Sequence, residues 1–220
     1  MIQLMDLPRR ARVLDVGCGK AEMLIMAIEQ CAGTGVGIDP NAVFLDAARD
    51  RAEERIPDGA LALYCARFED VTLAPGSFDA VMCVGSTHAL GGYAQALAPL
   101  AELVRPGGII VAGEGYWKQK PAPAYLAALD GAEHEFMTHD RNAAIGVERG
   151  LTHRFAIESS LAEWDAYEGL YAETVERFAA EHPDDPDHDA ILARIRPWRD
   201  AYFEWGRATL GFGVYGFGKP

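Results

Sequence analysis

Four residues near the start of the chain have the types and the spacing of a site that binds a nucleoside. Gly17 and Gly19 are separated by one residue and follow a short apolar run. Glycine has no Cβ, so such a turn lets backbone N–H groups approach a ligand closely. Asp15 precedes the turn, and Asp39 ends a second short apolar run. A carboxylate accepts hydrogen bonds from two neighbouring hydroxyl groups, which suits the vicinal diol of a ribose.

Strands and helices have to bring these four residues together. Residues 12–16 predict a strand, residues 20–31 a helix with apolar positions at helical spacing, and residues 36–39 a second strand. In an open parallel sheet the carboxyl ends of neighbouring strands line one crevice, so we expect Asp15, the glycine turn and Asp39 to meet there.

Two later blocks make the pattern more specific. Residues 78–84 form a continuous apolar run typical of a central strand, and Arg105-Pro106-Gly107-Gly108 precedes a strand predicted over residues 109–113. With residues 14–19 and 37–39, these blocks resemble the first, second, fourth and fifth strands of the class I S-adenosylmethionine (SAM)-dependent methyltransferases. The resemblance covers residues 11–115.

The resemblance implies an α/β fold with a seven-stranded, mostly parallel twisted sheet of the Rossmann-like type. We expect one methyltransferase domain over residues 1–220, with a helical insertion at about 159–208 between the last two strands. Within that insertion, aromatic residues recur at spacings of three and four, as in an amphipathic helix. They predict either a lid over the crevice or a helix–helix or dimer interface. They include Trp164, Tyr167, Tyr171, Trp198, Tyr202 and Trp205.

The same resemblance implies that SAM is the cofactor and that the crevice holds it. The residues expected to bind SAM are Asp15, Gly17, Cys18, Gly19, Asp39, Pro40, Arg67, Phe68, Glu69, Val84 and Gly85. Two positions depart from the family pattern. Ala21 stands where many relatives have a third glycine, and we expect a modest effect. Arg67 stands where an acid commonly contacts the adenine amino group. Either Glu69 or Asp70 takes that role, or backbone groups at Arg67 and Phe68 contact the adenine while the Phe68 ring packs on it; we favour Phe68 with Glu69. The alternative is that the segment is a solvated turn.

Methyl transfer from SAM is an in-line displacement in which the protein positions the acceptor and excludes water. His88 follows the fourth strand and is the candidate base, because imidazole accepts protons at neutral pH; the alternative is a histidine that only packs in a loop. Tyr116, Trp117, Trp164 and Tyr171 are candidate acceptor contacts, because aromatic faces hold flat or cationic molecules. The alternative for Tyr116 and Trp117 is packing against the inserted helices.

Composition limits the classes of acceptor and partner that we expect for this protein. The formal net charge of −13 disfavours nucleic acid and anionic membranes as partners, so a small-molecule acceptor is expected. The sequence shows no signal peptide and no long apolar run, so the expected location is the cytoplasm. The aromatic stripes of the insertion allow a homodimer. The four cysteines are scattered, which predicts neither a metal site nor disulfides.

Two rival functions remain open at this point. A SAM-binding protein without methyltransferase activity shares the same crevice. An NAD-dependent oxidoreductase fits less well, because Glu22 stands at the third position of its glycine fingerprint, where an acid would lie near a pyrophosphate.

Overall fold

Strands and helices alternate along the first half of the chain, and three further helices separate the last two strands. The computed structural model describes all residues, 1–220. The strands are β1 Arg12–Val16, β2 Thr34–Asp39, β3 Leu61–Cys65, β4 Phe78–Val84, β5 Val104–Trp117, β6 Thr152–Glu158 and β7 Leu210–Gly218. The helices are α1 Glu22–Cys31, α2 Ala42–Ala52, α3 Tyr93–Leu103, α4 Pro123–Leu129, α5 His139–Glu148, α6 Leu161–Glu181, α7 His188–Ala201 and the short α8 Arg207–Thr209.

The seven strands form one sheet in the order β3-β2-β1-β4-β5-β7-β6. Strands β1 to β5 pair in parallel. Strand β7 is antiparallel to β5, because the Lys219 N–H bonds the Gly108 oxygen beyond one end of the pair and the Lys118 N–H bonds the Thr209 oxygen at the other. The predicted fold class, a mostly parallel Rossmann-like sheet, is confirmed.

Apolar runs that are covered on both faces form the centre of this sheet. Leu14 of β1, Val81 of β4 and Ile110 of β5 are fully buried, as expected for parallel strands with helices on both sides. Helix α2 begins where the Asn41 side chain accepts hydrogen bonds from the Val43 and Phe44 N–H groups. The polar residues at the ends of these strands therefore follow directly after buried apolar residues.

The fifth strand is longer than the sequence predicted. It runs from Val104 to Trp117 rather than over residues 109–113, so Tyr116 and Trp117 lie inside the strand instead of following it. The backbone pairing of Lys118 with Thr209 extends the strand beyond its apolar centre. Pairing with a distant segment decides this boundary, and hydrophobic periodicity does not detect it.

The chain forms two compact units. Unit 1 comprises residues 1–114, 140–157 and 213–220, and unit 2 comprises residues 115–139 and 158–212. Unit 1 contains β1 to β4, most of β5 to β7, and helices α1, α2, α3 and nearly all of α5. Unit 2 contains α4 and the helices α6 to α8, which lie between β6 and β7. The assignment of the whole chain to one domain stays a prediction.

Unit 2 contains polar contacts both within and between its helices. Ser160 and Glu163 form a reciprocal capping box at the start of α6. The indole N–H of Trp198 donates to the buried carboxylate of Glu168 at 2.8 Å. Asp165 accepts hydrogen bonds from both the Tyr202 hydroxyl and the Arg207 guanidinium.

None of the helices in either unit has the length and apolar character that a bilayer span requires.

The end of α1 provides a test of local backbone strain. Ala32 caps the helix in the left-handed conformation, with φ of 49°, and its side chain is exposed. Glycine adopts this conformation without the clash that a Cβ introduces. We expect Ala32→Gly to raise the free energy of unfolding by about 0.5–1 kcal/mol, measured by urea denaturation.

The matched control is Ala47→Gly, inside helix α2. There the backbone is right-handed, and we expect a loss of about 0.5–1 kcal/mol because glycine lowers helix propensity. Two losses of equal size would contradict the assignment of strain to Ala32.

Candidate functional site

The glycine turn after β1 is bonded tightly to its neighbours. The N–H groups of Gly17 and Cys18 both donate to the carbonyl oxygen of Ile38 in β2, at 2.8 and 3.1 Å. Gly17 has a φ of +71°, and a Cβ on it would lie 2.3 Å from the Ser86 side chain. Gly19 has a φ of +55°, and a Cβ there would meet nothing within 4 Å. Packing thus requires glycine at position 17, whereas Gly19 leaves open space above the turn.

Ala21 completes the turn in an unusual backbone conformation. It has a φ of 54°, its N–H donates to the Cys18 oxygen at 2.8 Å, and its methyl group is buried. Helix α1 therefore begins at Glu22, two residues later than the periodicity predicts. The left-handed conformation favours glycine, which is the residue that many relatives of the predicted family have here. Burial of the methyl group offsets part of this strain.

Asp39 is fixed by two backbone N–H groups at the end of β2. Its Oδ2 accepts from the Gly19 N–H at 2.8 Å and its Oδ1 accepts from the Asn41 N–H at 2.9 Å. A carboxylate has about four acceptor sites, so each oxygen retains capacity for a ligand hydroxyl. The carboxylate is therefore oriented before any ligand arrives.

Asp15 is a buried carboxyl group to which no backbone or side-chain group of the protein donates a hydrogen bond. Burial, followed by the negative charge of Asp39, raises the pKa of Asp15 to about 7. A cation at this point would favour the ionised form. The electrostatics of Asp15 therefore suit a ligand that carries a positive group.

An open crevice of about 440 Å³ lies beside these carboxylates in unit 1. This volume falls within the usual range for small-molecule sites. The residues that line it are Val16, Gly17, Ile38, Pro40, Ala66, Arg67, Phe68, Glu69, His88 and Ala89. Six residues singled out from the sequence thus share this surface: Gly17, Pro40, Arg67, Phe68, Glu69 and His88.

The segment after β3 contributes both apolar and charged groups to the crevice. Phe68 is half-buried and packs against the core, so one part of its ring is fixed. The guanidinium of Arg67 lies 3.4 Å from the carboxylate of Glu69, and both side chains are exposed. This pairing places a positive group where an acid is common in the family that the sequence resembles.

The loop after β4 joins the glycine turn to the end of β5. The N–H of Gly85, which follows Val84, donates to the Gly113 oxygen, and the Ser86 hydroxyl donates to the Val16 oxygen at 2.8 Å. The buried Thr87 hydroxyl donates to the Glu114 carboxylate. Ser86, Thr87 and Glu114 are not among the residues predicted from the sequence. The one sequence signal for any of them is that Glu114 is an acidic residue directly after the apolar residues 109–113 of β5.

His88 lies on the crevice but is not held in place. Its side chain is exposed on the short turn Thr87–Leu90, and no hydrogen bond or ion pair holds its imidazole. A general base is usually oriented by a further group. The structure therefore places His88 beside the crevice without supplying such an orienting group.

The four predicted aromatic contacts all belong to unit 2. Tyr116 is buried and donates its hydroxyl to Glu158, and the indole N–H of Trp117 donates to the Glu133 oxygen at 2.8 Å. The Trp164 ring stacks with the rings of Tyr167 and Phe212. Tyr171 lies two turns further along α6, and its side chain is exposed.

The indole N–H of Trp164 differs from those of Trp117 and Trp198. It is buried and has no hydrogen-bond partner within the protein. Buried donors in proteins are nearly always satisfied, so an unpaired one indicates a place for a water molecule or a ligand oxygen.

The sheet order, the glycine turn and the carboxylate that ends β2 together define a Rossmann-like nucleoside-binding protein. Comparison with known proteins identifies the family. A methyltransferase-domain family matches residues 13–108. The chain is 32% identical to the protein YjhP of Escherichia coli over 211 residues, which cover 93% of this chain and 83% of that relative. The chain belongs to the class I SAM-dependent methyltransferases, and the prediction of this enzyme class is confirmed.

A solved structure and a second relative extend the comparison. A SAM-dependent methyltransferase from Geobacter sulfurreducens, in complex with S-adenosylhomocysteine (SAH), has a TM-score of 0.91 at 27% identity, covering 100% of this chain and 88% of that one. A ubiquinone biosynthesis O-methyltransferase of Saccharophagus degradans is 31% identical over 166 residues, covering 72% of this chain and 63% of that enzyme. The similarity thus includes unit 2 as well as the glycine turn.

The raised pKa of Asp15 predicts a pH-dependent stability for the free protein. An unfolded Asp15 loses its proton near pH 3.8 and the folded one near pH 7, so stability falls as the pH rises between these values. Asparagine does not ionise. We expect the stability of Asp15→Asn relative to wild type to increase by on the order of 2 kcal/mol between pH 5 and pH 8, measured by thermal unfolding.

Asp79→Asn is the matched control with the opposite sign. Burial raises the pKa of Asp79, but the Arg12 N–H and the Arg105 guanidinium outweigh it and leave the pKa lowered. Its contribution to stability is present above its unfolded pKa, so Asp79→Asn is expected to destabilise the protein at pH 8. The same pH trend in both variants would contradict the analysis of Asp15.

Proposed function

We propose that this methyltransferase transfers the methyl group of SAM to a small-molecule acceptor. The observation that carries the proposal is the arrangement of Asp15 and Asp39 around the glycine turn, beside a crevice of about 440 Å³. SAM supplies an electrophilic methyl group on a sulfonium that is already a good leaving group. The protein has to bind it, orient the acceptor and exclude water.

The proposed cofactor contacts follow from the chemistry of each group. Asp39 accepts hydrogen bonds from the ribose hydroxyls, because its oxygens are already oriented by backbone N–H groups. Asp15 faces the ammonium group of the methionine part, because its buried carboxyl group has no donor of its own. Phe68 packs on the adenine ring and Glu69 accepts from its amino group. Cys18, Gly19, Val84 and Gly85 contribute backbone groups at the same strand ends.

Several observations support a small acceptor. The net charge of −13 repels polyanions such as nucleic acid at long range. One similar enzyme is named for ubiquinone biosynthesis, in which it methylates an oxygen. The unpaired indole N–H of Trp164 is a donor suited to an oxygen atom of the acceptor. We propose Tyr116, Trp117, Trp164 and Tyr171 as acceptor contacts.

The cofactor assignment is tested by calorimetric titration with SAM and, separately, with NADH. We expect wild-type protein to bind SAM and not NADH, and Asp39→Ala to weaken SAM binding at least about tenfold, because the variant loses the proposed ribose acceptor and an anchor of the glycine turn. Asp50→Ala, at an exposed site on α2, is the matched control and is expected to bind SAM normally.

Two results would contradict the cofactor assignment. Binding of NADH in place of SAM would favour a dinucleotide-dependent enzyme. Equal SAM affinity in wild type and in a folded Asp39→Ala would remove Asp39 from the site.

The role of His88 is tested by SAH formation with a panel of small hydroxyl, amine and thiol compounds. We propose that His88 accepts the proton of a hydroxyl or amine acceptor. His88→Ala is then expected to lower kcat about 100-fold for such acceptors. Thiol acceptors, which ionise more readily, are expected to lose less. His134→Ala, an exposed histidine of unit 2, is the matched control.

A kcat that is unchanged in His88→Ala would show that His88 is not the base. Tight SAM binding with no SAH formed from any compound would favour a SAM-binding protein without methyltransferase activity.

A further inference from the structure

A second pocket, of about 340 Å³, lies in unit 2 and is separate from the crevice of unit 1. All the residues that line it fall within positions 117–138, so unit 2 forms the pocket by itself. Trp117, Phe136 and Met137 give it an apolar wall. Its volume is sufficient for a small organic molecule.

The apolar wall of Trp117, Phe136 and Met137 is fixed by bonds from Trp117. The Trp117 backbone N–H donates to the Met137 oxygen at 2.8 Å, and its indole N–H donates to the Glu133 oxygen at 2.8 Å. The Trp117 and Phe136 rings meet edge to face, with centroids 5.2 Å apart. These contacts join residues 133–137 to the end of β5, so the wall is formed before any ligand arrives.

Positive side chains outnumber negative ones in the pocket lining. Lys118 and Lys120 are two of only four lysines in the chain, and Glu133 is the one acidic residue beside them. The Lys120 ammonium lies 3.9 Å from the Glu133 carboxylate, and both side chains are largely exposed. In a protein with a formal net charge of −13, this lining therefore provides a local site of positive charge next to apolar surface.

The ammonium group of Lys118 forms no ion pair. It donates one hydrogen bond, to the Arg207 carbonyl oxygen at 3.3 Å. The Lys118 backbone N–H bonds the Thr209 oxygen at 2.8 Å, which fixes the start of the side chain. A lysine ammonium has three donors, so two remain for water or for a ligand.

The surroundings of Lys118 leave its positive charge incompletely compensated. The side chain keeps contact with solvent, but partial burial lowers its pKa. The carboxylates of Glu158 and Asp165 oppose this effect without cancelling it, and the positive charge of Arg207 adds to it. A bound anion would stabilise the charged ammonium.

We propose that this pocket of unit 2 binds a small organic carboxylate with a flat apolar body. The carboxylate pairs with the Lys118 ammonium, and the body packs on the wall of Trp117, Phe136 and Met137. One unpaired ammonium beside apolar surface suits a monoanion better than a polyphosphate. The proposal goes beyond the proposed function, and this binding does not require SAM.

The test titrates the protein, without SAM, with 2-naphthoate and with its neutral analogue 2-naphthamide by ligand-observed NMR. We expect wild type to bind the carboxylate at least about tenfold more tightly than the amide, because only the carboxylate pairs with an ammonium. Lys118→Met keeps an apolar stem and is expected to weaken 2-naphthoate about tenfold and 2-naphthamide less than about twofold. Lys118→Arg is expected to retain part of the preference.

Two control variants each remove one positive charge elsewhere. Arg194→Met changes an exposed residue of α7 that does not line the pocket, and it is expected to change the affinity for 2-naphthoate less than about twofold. Arg67→Met changes the crevice of unit 1 and reports whether the carboxylate binds there instead.

The outcomes decide the inference without reference to methyl transfer. Equal affinity of wild type for the two compounds, or no binding of 2-naphthoate up to about 10 mM, would overturn it. An unchanged affinity in Lys118→Met would overturn it as well. A larger loss in Arg67→Met than in Lys118→Met would place the ligand in the crevice, with the same consequence.

Discussion

The backbone turn after β1 is bonded on two sides, and the site depends on this double attachment. On one side, the Gly17 and Cys18 N–H groups bond the Ile38 oxygen of β2. On the other side, the Ser86 hydroxyl bonds the Val16 oxygen, which brings the loop after β4 into contact with Gly17. Any side chain at position 17 would force these elements apart. The absence of a Cβ there thus lets three strand ends converge.

This convergence has an electrostatic consequence. The ends of β1 and β2 carry Asp15 and Asp39, and both carboxyl groups are buried. Asp39 is compensated by two backbone N–H groups, whereas Asp15 is not, and its pKa rises accordingly. In the free protein, ionisation of Asp15 is therefore unfavourable.

Unit 2 has a different internal chemistry. Its helices are joined by carboxylates that accept from aromatic hydroxyl and indole groups, as Asp165 does from Tyr202 and Glu168 from Trp198. One indole, that of Trp164, has its N–H left unpaired in an otherwise satisfied interior. Unsatisfied donors of this kind are rare in folded proteins, and they mark a place where specificity for a ligand oxygen can arise.

Local sequence patterns were sufficient to predict several strands of unit 1 and the position of its crevice. Apolar runs located β1 and β4 to the residue, and the Gly17–Gly19 spacing with Asp39 predicted the crevice, because the parallel sheet places successive strand ends at one edge. Long-range contacts determined the rest. Pairing with β7 set the full length of β5, the Thr87 hydroxyl bonds the Glu114 carboxylate, and the Trp164 ring stacks on that of Phe212. These features depend on residues that are distant in the chain, and side-chain type and periodicity describe only near neighbours.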